Sequence, residues 1–448
     1  MSSLSDNAGE QVAMNIIEES RKRTEWFLDS RFGIFIHWGL YAIPARGEWI
    51  RSIERISKEE YNSYFEEFNP VHYDPKSWAR SAKEAGMKYA VMTAKHHDGF
   101  CLYDTKLTDF KSTNTTSGRD LIKEYVEAFR SEGIKVGLYY SLIDWYHEDF
   151  PAYGDRQHPM RSNEEYKNKE HKFERYLDYM HAQVRELCTN YGKIDIIWFD
   201  FSYDDMCGEK WRATELVNMV RELQPEIIID NRLEASGENS GSIKTNNPSI
   251  YSGDFASPEQ IIPPQGITDV NGNSLPWEAC ITMNNNWGYC STDKMFKTPK
   301  LIIRKLVECV SKNGNLLLNV GPDATGVIPA ESVGILGQIG HWMKKNSKSI
   351  YNCGKSDYAK PEWGYFTQNG NCLYAHIFDG NIGALPVLVS KGRIKKARIL
   401  SDGSEMKLID TWNIKEFPDY TFINFGPGDT STYPIPDDID TVVEFELY

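Results

Sequence analysis

IDIIWFDF, residues 194–201, is an Ile-rich stretch in which a largely apolar run reaches an acid, Asp200. It lies between Gly192 and a polar Tyr-Asp-Asp segment, and an apolar run with such boundaries is typical of a buried strand. An acid at the carboxyl end of a buried strand in an α/β protein faces the edge where ligands bind. Because burying an unpaired carboxylate is costly, the position of Asp200 indicates a functional role.

Seven further stretches have the same apolar character and complete a set of predicted strands. The eight predicted strands cover residues 32–38, 89–96, 135–141, 194–200, 226–232, 250–256, 277–283 and 315–321. Helical patterns separate several of them, such as an amphipathic segment over 163–187. Apolar strands that alternate with helices predict an α/β fold, a (β/α)₈-like TIM barrel over residues 10–350. The Ser-, Gly- and Asn-rich residues 234–249 show no helical pattern and leave open whether the barrel is complete.

The pattern changes after about residue 355. Short apolar stretches such as CLYAHIF, RIKKARIL and TVVEFEL alternate there with Gly, Asn and Asp turns, and no helical pattern lies among them. Such spacing predicts a C-terminal antiparallel β-sandwich over residues 355–448. A chain of 448 residues is also long enough for two hydrophobic cores.

Composition argues against several classes of partner. The net charge of −14 disfavours nucleic acid and anionic membranes, which attract basic surfaces. No apolar stretch approaches the roughly 18 residues that span a bilayer, and the first residues do not resemble a targeting signal. The eight cysteines are scattered without C-x-x-C spacing, so we expect neither a disulfide framework nor a cysteine metal site. A reducing cytoplasm is the expected location.

Polar side chains accumulate where the predicted strands end. These residues are His37, His96, His97, Tyr139, Asp200, Arg232 and Glu259. Each one alone has an ordinary structural explanation, for example as a buried histidine or a surface ion pair. Their coincidence at one face of a predicted barrel instead indicates an active site.

Two chemistries compete for this site. A metal centre has suitable ligand types in His37, His96, His97, Asp98 and Asp200, but strand ligands usually alternate as H-x-H, and adjacent histidines on a strand point apart. The alternative is a pair of carboxylates that cleave a glycosidic bond, one ionised and one protonated. Asp200 is the candidate for the ionised acid. The candidates for the second acid are Glu259, Glu278 and Glu234.

A series of motifs in this chain resembles one known family. In chain order they are FGIFIHWGLYAIPA, GEW, KYAVMTAKHHDGFCLYDT, GLYYS, IWFD, the PE of ASPEQ, WGY and NGNLLLNVGP. Together they resemble the α-L-fucosidases of glycoside hydrolase family 29 over residues 32–322. FGIFIHWG and KHHDGF are the most specific of these motifs. The resemblance also implies the C-terminal β-sandwich.

The resemblance assigns roles to individual residues. The acid that closes the W-x-D strand, Asp200, corresponds to the nucleophile, and the D-F-x-x-P-E pattern places the acid/base at Glu259. The expected substrate-binding residues are His37, Glu48, Trp49, His96, His97, Tyr139, Trp198, Arg232 and Trp287. Trp198 and Trp287 would line the floor of the site and contact the methyl group of fucose, and fixed donors and acceptors would meet its hydroxyls.

The implied reaction is hydrolysis of terminal α-linked L-fucose from a fucosylated oligosaccharide or glycoside, with retention of configuration and without a cofactor. Two alternatives stay open: a metal-dependent barrel hydrolase and a non-catalytic carbohydrate-binding barrel. Glu278 is kept as a reserve acid, because the polar residues 234–249 between Arg232 and Glu259 could displace either group. The sequence decides neither the fucosyl linkage nor the oligomeric state.

Overall fold

The computed structural model describes residues 2–236 and 239–448. Seven parallel strands in these residues form one sheet. In chain order they are β1 (Phe32–Ile36), β2 (Tyr89–Lys95), β3 (Lys135–Ser141), β4 (Ile196–Asp200), β5 (Ile228–Ile229), β6 (Glu278–Thr282) and β7 (Asn315–Val320). Their spatial order is β5-β4-β3-β2-β1-β7-β6. The predicted barrel-like α/β fold is confirmed, and the barrel is incomplete because its sheet has seven regular strands in the described residues.

The predicted strand at 250–256 is wrong, because residues 254–260 take the place between β5 and β6 without forming a regular strand. On one side the N–H of Asp254 donates to the carbonyl of Ile229 at 2.6 Å. On the other side the N–H of Gln260 donates to the carbonyl of Cys280 at 2.9 Å. This segment therefore joins the two edges of the sheet by isolated bridges.

Local chemistry explains why the segment is irregular. Gly253 has a φ of 82°, and a Cβ there would lie 2.3 Å from the backbone oxygen of Asp230. Pro258 has no N–H to donate to a neighbouring strand. A continuous ladder cannot form across these two positions, although the chain still closes the gap.

Nine α-helices are present in the described residues. They are α1 (Ser2–Ser30), α2 (Ile50–Ile53), α3 (Lys58–Glu67), α4 (Pro75–Glu84), α5 (Leu121–Ser131), α6 (Phe173–Asn190), α7 (Ala213–Leu223), α8 (Pro299–Ser311) and α9 (Ala330–Asn346). Helix α4 has a well-capped start, with Asp74 accepting hydrogen bonds from two backbone N–H groups and Pro75 at the first helical position.

Two features of the helices differ from the sequence-based expectation. Helix α1 lies before the first strand and is not among the predicted elements. The helix predicted over 163–187 begins only at Phe173, and residues 164–166 form a short 3₁₀ turn. The polar residues 167–172 have no apolar face to bury, so packing does not support a helix there.

The C-terminal residues form the predicted sandwich. Its strands are β8 (Gly354–Lys355), β9 (Gly364–Asn369), β10 (Cys372–Ile377), β11 (Leu385–Val387), β12 (Ile394–Ile399), β13 (Leu408–Ile409), β14 (Thr421–Ile423) and β15 (Thr441–Leu447). The two antiparallel sheets have the orders β12-β15-β10-β9-β8 and β11-β14-β13. Leu373, Val387, Ile423 and Phe445 belong to the apolar core that they share.

The interior of the barrel is unusually aromatic. Phe27, Phe35, Tyr89, Tyr139, Trp198 and Phe255 pack together there. Such bulky rings fill the lower part of the barrel, and the described residues leave space near the carboxyl ends of the strands. Among the described residues, no helix combines the length and apolar character needed to cross a membrane.

Candidate active site

A cavity of about 250 Å³ opens at the carboxyl ends of the strands. Every predicted site residue except Glu48 lines this cavity. The other lining residues are Phe35, Arg156, Gln157, Phe201, Ser202, Tyr203, Ser236 and Cys280. The strand ends thus bring together side chains that are up to 252 positions apart in the sequence, from Phe35 to Trp287.

Asp200 is the last residue of β4, and three groups surround its carboxylate. The hydroxyl of Tyr139 donates to Oδ2 at 2.7 Å, and Nη1 of Arg232 donates to Oδ1 at 3.2 Å. Nε2 of His97 lies 4.0 Å from Oδ2. Burial raises the pKa of Asp200 to about 6, with Arg232 opposing this shift and Glu259 adding to it. The carboxylate is therefore ionised above about pH 6.

Arg232 links the two candidate catalytic acids. While Nη1 binds Asp200, Nη2 donates to Oε2 of Glu259 at 3.2 Å. The guanidinium is itself held by the hydroxyl and the carbonyl of Ser257, both at 2.8 Å, and lies 5.0 Å from the ring centroid of Trp198. A planar donor with several N–H groups can orient both carboxylates at once.

The two carboxylates differ in their exposure to solvent. The Asp200 side chain is 16% exposed, whereas that of Glu259 is 39% exposed. Asp200 lies at the end of a barrel strand, and Glu259 lies on the irregular segment that replaces the missing strand. Glu259 is consequently the acid nearer to bulk solvent.

The polar residues 234–249 do not separate Arg232 from Glu259. Glu234 accepts hydrogen bonds from the backbone N–H and hydroxyl of Ser242, both at 2.7 Å, and from the hydroxyl of Ser249. These bonds hold the described part of the segment folded on itself. Glu234 therefore serves this loop and is not among the residues that line the cavity.

Three histidines form one wall of the cavity. The rings of His96 and His97 lie 4.1 Å apart between centroids, and that of His37 lies 5.6 Å from His96. The objection that adjacent histidines on a strand would point apart does not apply, because β2 ends at Lys95. Burial lowers the pKa of all three rings, that of His37 to about 3. The rings are therefore neutral.

Aromatic rings form a second part of the cavity wall. Tyr139 stacks at 15° on His96 and at 19° on Trp198, and Trp287 lies 5.1 Å from His37. The ring centroid of Trp49 lies 4.9 Å from that of His97. Apolar ring faces beside fixed polar groups are what a six-membered sugar with both C–H and O–H surfaces requires.

Comparison with known proteins agrees with this site. The family model described as alpha-L-fucosidase matches residues 4–348. The alpha-L-fucosidase of Dictyostelium discoideum is 27% identical over 80% of this chain and 79% of its own. The tissue alpha-L-fucosidase of Mus musculus is 29% identical over 74% of this chain and 72% of its own. The chain belongs to the alpha-L-fucosidase family.

Solved structures of other fucosidases share the whole fold. Alpha-L-fucosidase isoenzyme 1 from Paenibacillus thiaminolyticus is 60% identical, with a TM-score of 0.92 over 96% of this chain and 100% of its own. A fucosidase from Bacteroides thetaiotaomicron, a trapped covalent intermediate in complex with 2-fluoro-fucosyl fluoride, is 30% identical. Its TM-score is 0.80 over 95% of this chain and 96% of its own. The protein is therefore a glycoside hydrolase of the fucosidase type.

Glu48 has a different position from the other predicted residues of this fucosidase. It is buried behind the cavity wall, and its Oε2 accepts a hydrogen bond from the N–H of Gly288 at 2.7 Å. Burial raises its pKa. This contact connects the loop after β1 with the turn that carries Trp287, so that Glu48 supports the wall from behind.

The reserve acid, Glu278, does not reach the cavity of this fucosidase. It is fully buried in the barrel, where its carboxylate accepts hydrogen bonds from the hydroxyl of Tyr89 at 2.6 Å and from Nε1 of Trp198 at 3.1 Å. Neither oxygen lines the cavity. Glu278 therefore fixes the ring of Trp198 from below, and Glu259 is the acid that faces the ligand space.

We expect Glu278→Gln to retain fucosidase activity and to flatten the pH dependence of stability. Burial raises the pKa of Glu278 to about 7 from 4.5. The folded protein thus keeps a proton that the unfolded chain releases, so stability falls as pH rises from 4.5 to about 7. In Glu278→Gln the amide oxygen can accept from Nε1 of Trp198 while the amide NH2 donates to the hydroxyl oxygen of Tyr89, and the neutral side chain avoids this loss of roughly 3 kcal/mol. Urea unfolding of both proteins near pH 5 and pH 8 measures the difference; equal slopes with pH would contradict it.

Several cavity residues are missed by the sequence-based prediction. Arg156 and Gln157 lie on the long loop after β3, and residues 201–203 follow directly after β4. Phe201 has a φ of 85°, which is rare for a bulky residue and marks a position held by its surroundings, here the rings of Trp49 and His97. The sequence could have indicated these residues by their place on βα loops, because such loops form the active sites of barrel enzymes.

The residues weighed above as ligands of an alternative metal centre do not form a metal site. Within residues 2–236 and 239–448, no three His, Cys, Asp or Glu side chains are grouped so that they could hold a metal ion. Asp98 instead accepts a hydrogen bond from the hydroxyl of Tyr61 at 2.8 Å and is buried. The carboxylate pair is the chemistry that this geometry supports.

Proposed function

We propose that this fucosidase is an exo-acting, retaining enzyme that hydrolyses terminal α-linked L-fucose through a covalent fucosyl-enzyme. Asp200 is the nucleophile and Glu259 is the acid/base. The observation that carries this proposal is the single guanidinium of Arg232, which binds both carboxylates at 3.2 Å while their exposures differ. Two carboxyl groups in different environments can take opposite duties.

The first step uses both acids. Asp200 Oδ attacks the anomeric carbon as the bond from that carbon to the aglycone oxygen breaks, and protonated Glu259 transfers its proton to the departing oxygen. The tyrosine hydroxyl and guanidinium that bind Asp200 orient it for attack. Glu259, being the more exposed acid, lies where an aglycone can leave.

The second step releases the sugar. Glu259, now ionised, removes a proton from a water molecule, and the resulting oxygen attacks the anomeric carbon from the side that the aglycone left. The bond to Asp200 breaks and regenerates the free carboxylate. Two displacements at one carbon restore the original configuration. The covalent intermediate trapped in the Bacteroides relative supports this route.

The shape of the cavity supports exo action on one sugar unit. Its volume of about 250 Å³ suits a single monosaccharide, and aromatic residues close the barrel below it. The histidine wall and Arg232 offer polar atoms to hydroxyls, while Trp198 and Trp287 offer apolar faces to a methyl group. A fucosylated oligosaccharide or glycoside would place its remaining part outside the cavity.

Hydrolysis of an aryl α-L-fucoside followed by NMR tests this proposal. We expect α-L-fucose as the first product, before mutarotation, because two inversions retain configuration. Initial release of β-L-fucose would refute the double displacement. Rates unchanged by a chelator are expected, and a chelator-sensitive rate would favour the metal-dependent alternative. Binding of fucose without any hydrolysis would instead identify a non-catalytic carbohydrate-binding barrel.

A further inference from the structure

Asn319 fixes the proton of His37. The side-chain Nδ2 of Asn319 donates to the backbone carbonyl of Trp287 at 2.7 Å. A carbonyl only accepts, so the amide group must be at this end and Oδ1 must face the other way. Oδ1 lies 2.7 Å from Nδ1 of His37. Because an amide oxygen also only accepts, Nδ1 of His37 must carry a hydrogen.

His37 is neutral in this arrangement, so its other nitrogen is unprotonated. Burial lowers the pKa of His37 to about 3, although the bond to Asn319 works in the opposite direction. The titratable rings that pack against His37 are His96 and Tyr139, and His97 also interacts with it electrostatically; all three are uncharged. A neutral ring with a hydrogen on Nδ1 presents a lone pair at Nε2.

Ser141 fixes the hydrogen of His97 on Nδ1, through a separate set of hydrogen bonds. The hydroxyl of Ser141 donates to the carbonyl of Ile143 at 2.7 Å, so its oxygen is left to accept from Nδ1 of His97, also at 2.7 Å. Burial is the main cause that lowers the pKa of His97, and His37 and Lys95 add to it. The unprotonated Nε2 then faces Oδ2 of Asp200 at 4.0 Å.

We propose that Asn319 and Ser141 are positioning residues that hold His37 and His97 with Nε2 unprotonated, so that each ring accepts a hydrogen bond from a sugar hydroxyl. This inference rests on the proposed function only in that the ligand is a sugar. It assigns a polarity to the cavity: two imidazole nitrogens and Asp200 accept, while Arg232 donates. A ligand must therefore supply O–H donors at the positions that face the histidines.

The polarity distinguishes hydroxyl groups from groups that only accept. A hydroxyl can donate to Nε2, whereas a fluorine substituent cannot donate at all. Replacing a contacting hydroxyl by fluorine should thus weaken binding about as much as replacing it by hydrogen, roughly tenfold. If the rings donated instead, fluorine would recover part of the binding that hydrogen loses. Inhibition constants of deoxy- and deoxyfluoro-L-fucoses at each ring position provide this comparison.

Nitrogen NMR reads the tautomer directly. The full-length chain labelled with ¹⁵N-histidine shows separate shifts for protonated and unprotonated ring nitrogens, and His37→Gln and His97→Gln assign the two signals by their disappearance. We expect both rings to be neutral with Nδ1 protonated between about pH 5.5 and pH 8. A hydrogen on Nε2, or a cationic ring, in this range would overturn the proposal even in the wild-type protein.

Substitutions separate positioning from simple structural support. Ser141→Ala should shift the His97 signal, leave the His37 signal unchanged and raise KM about tenfold with little change in kcat. Asn319→Asp should add a new ionisation to the pH profile of KM, because a carboxylate stabilises a protonated His37. An unchanged His97 signal in Ser141→Ala, or an unchanged pH profile in a folded Asn319→Asp, would contradict the proposed roles.

Asn315→Asp is the matched control for the second variant. Asn315 lies four residues earlier on β7, is equally buried and donates to the carbonyl of Phe27 at 2.7 Å. The Asn315→Asp variant adds the same charge far from His37, so the pH profile of its KM should match that of the wild type. A new ionisation in both variants would show that charge anywhere on β7 suffices and would overturn the role of Asn319.

These measurements are separable from a failure of the proposed function. The NMR signals and the binding of fucose analogues do not require turnover. If the protein binds fucose with the expected tautomers but does not hydrolyse fucosides, only the proposed function fails. If it hydrolyses fucosides while the rings carry hydrogen on Nε2, only this inference fails.

Discussion

Asp200→Ala should lower kcat/KM for an aryl α-L-fucoside by roughly 10⁴- to 10⁶-fold, the size of effect seen when a nucleophile is removed. Among the described residues, neither of the other two candidate acids can take its place: Glu259 lies on the other side of the Arg232 guanidinium, and Glu278 is enclosed in the barrel. The loss should be similar for good and poor leaving groups, because a covalent intermediate no longer forms. Steady-state kinetics with a series of aryl fucosides measure it.

Folding of the variant should be intact or improved. Burial raises the pKa of Asp200 to about 6, which means that the folded state holds this carboxylate in an unfavourable environment. Asp195→Ala is the matched control, since Asp195 lies just before the same strand and its carboxylate accepts from the N–H of Val136. That variant should retain activity. Turnover near the wild-type level in a folded Asp200→Ala protein would remove Asp200 from its role.

The strands that carry the site are the part of the fold that the sequence predicts well. Buried parallel strands are continuous apolar runs, so β1, β2, β3, β4, β6 and β7 are visible without any knowledge of their neighbours. The polar residue that ends such an apolar run can be recognised in the sequence for the same reason. His37, Tyr139 and Asp200 each line the cavity as their positions at or near the strand ends indicate.

The segment that carries Glu259 is not predictable in this way. Its hydrogen bonds join β5 and β6, which are about 50 residues apart, and no local periodicity records such a contact. The same holds for Glu48, whose place behind the wall is set by the N–H of Gly288 across the fold. In the sequence, Asn319 is simply one of two polar residues in an otherwise apolar strand. Its role becomes visible when its two partners, His37 and Trp287, are known.

Removal of Glu259 should produce a different kinetic pattern from removal of Asp200. In Glu259→Ala, substrates whose leaving group needs a proton should lose roughly 10²- to 10⁴-fold in kcat/KM, whereas those with a good leaving group should lose little. Hydrolysis of the fucosyl-enzyme should then be slow, because no base activates water. Glu234→Gln is the control and should retain activity, since Glu234 does not line the cavity and binds Ser242 and Ser249.

Azide can expose the two roles through the configuration of the product. In Glu259→Ala the intermediate still forms on Asp200, so azide that attacks it inverts the centre a second time and should give α-L-fucosyl azide. In Asp200→Ala only a single displacement remains, so any azide product should have the β configuration. The α product from Asp200→Ala would exchange the assignments, and loss of azide rescue from Glu259→Ala would return the acid/base role to another group. The Arg232 guanidinium binds both carboxylates, and the anomeric configuration tells which of them bonds to the sugar.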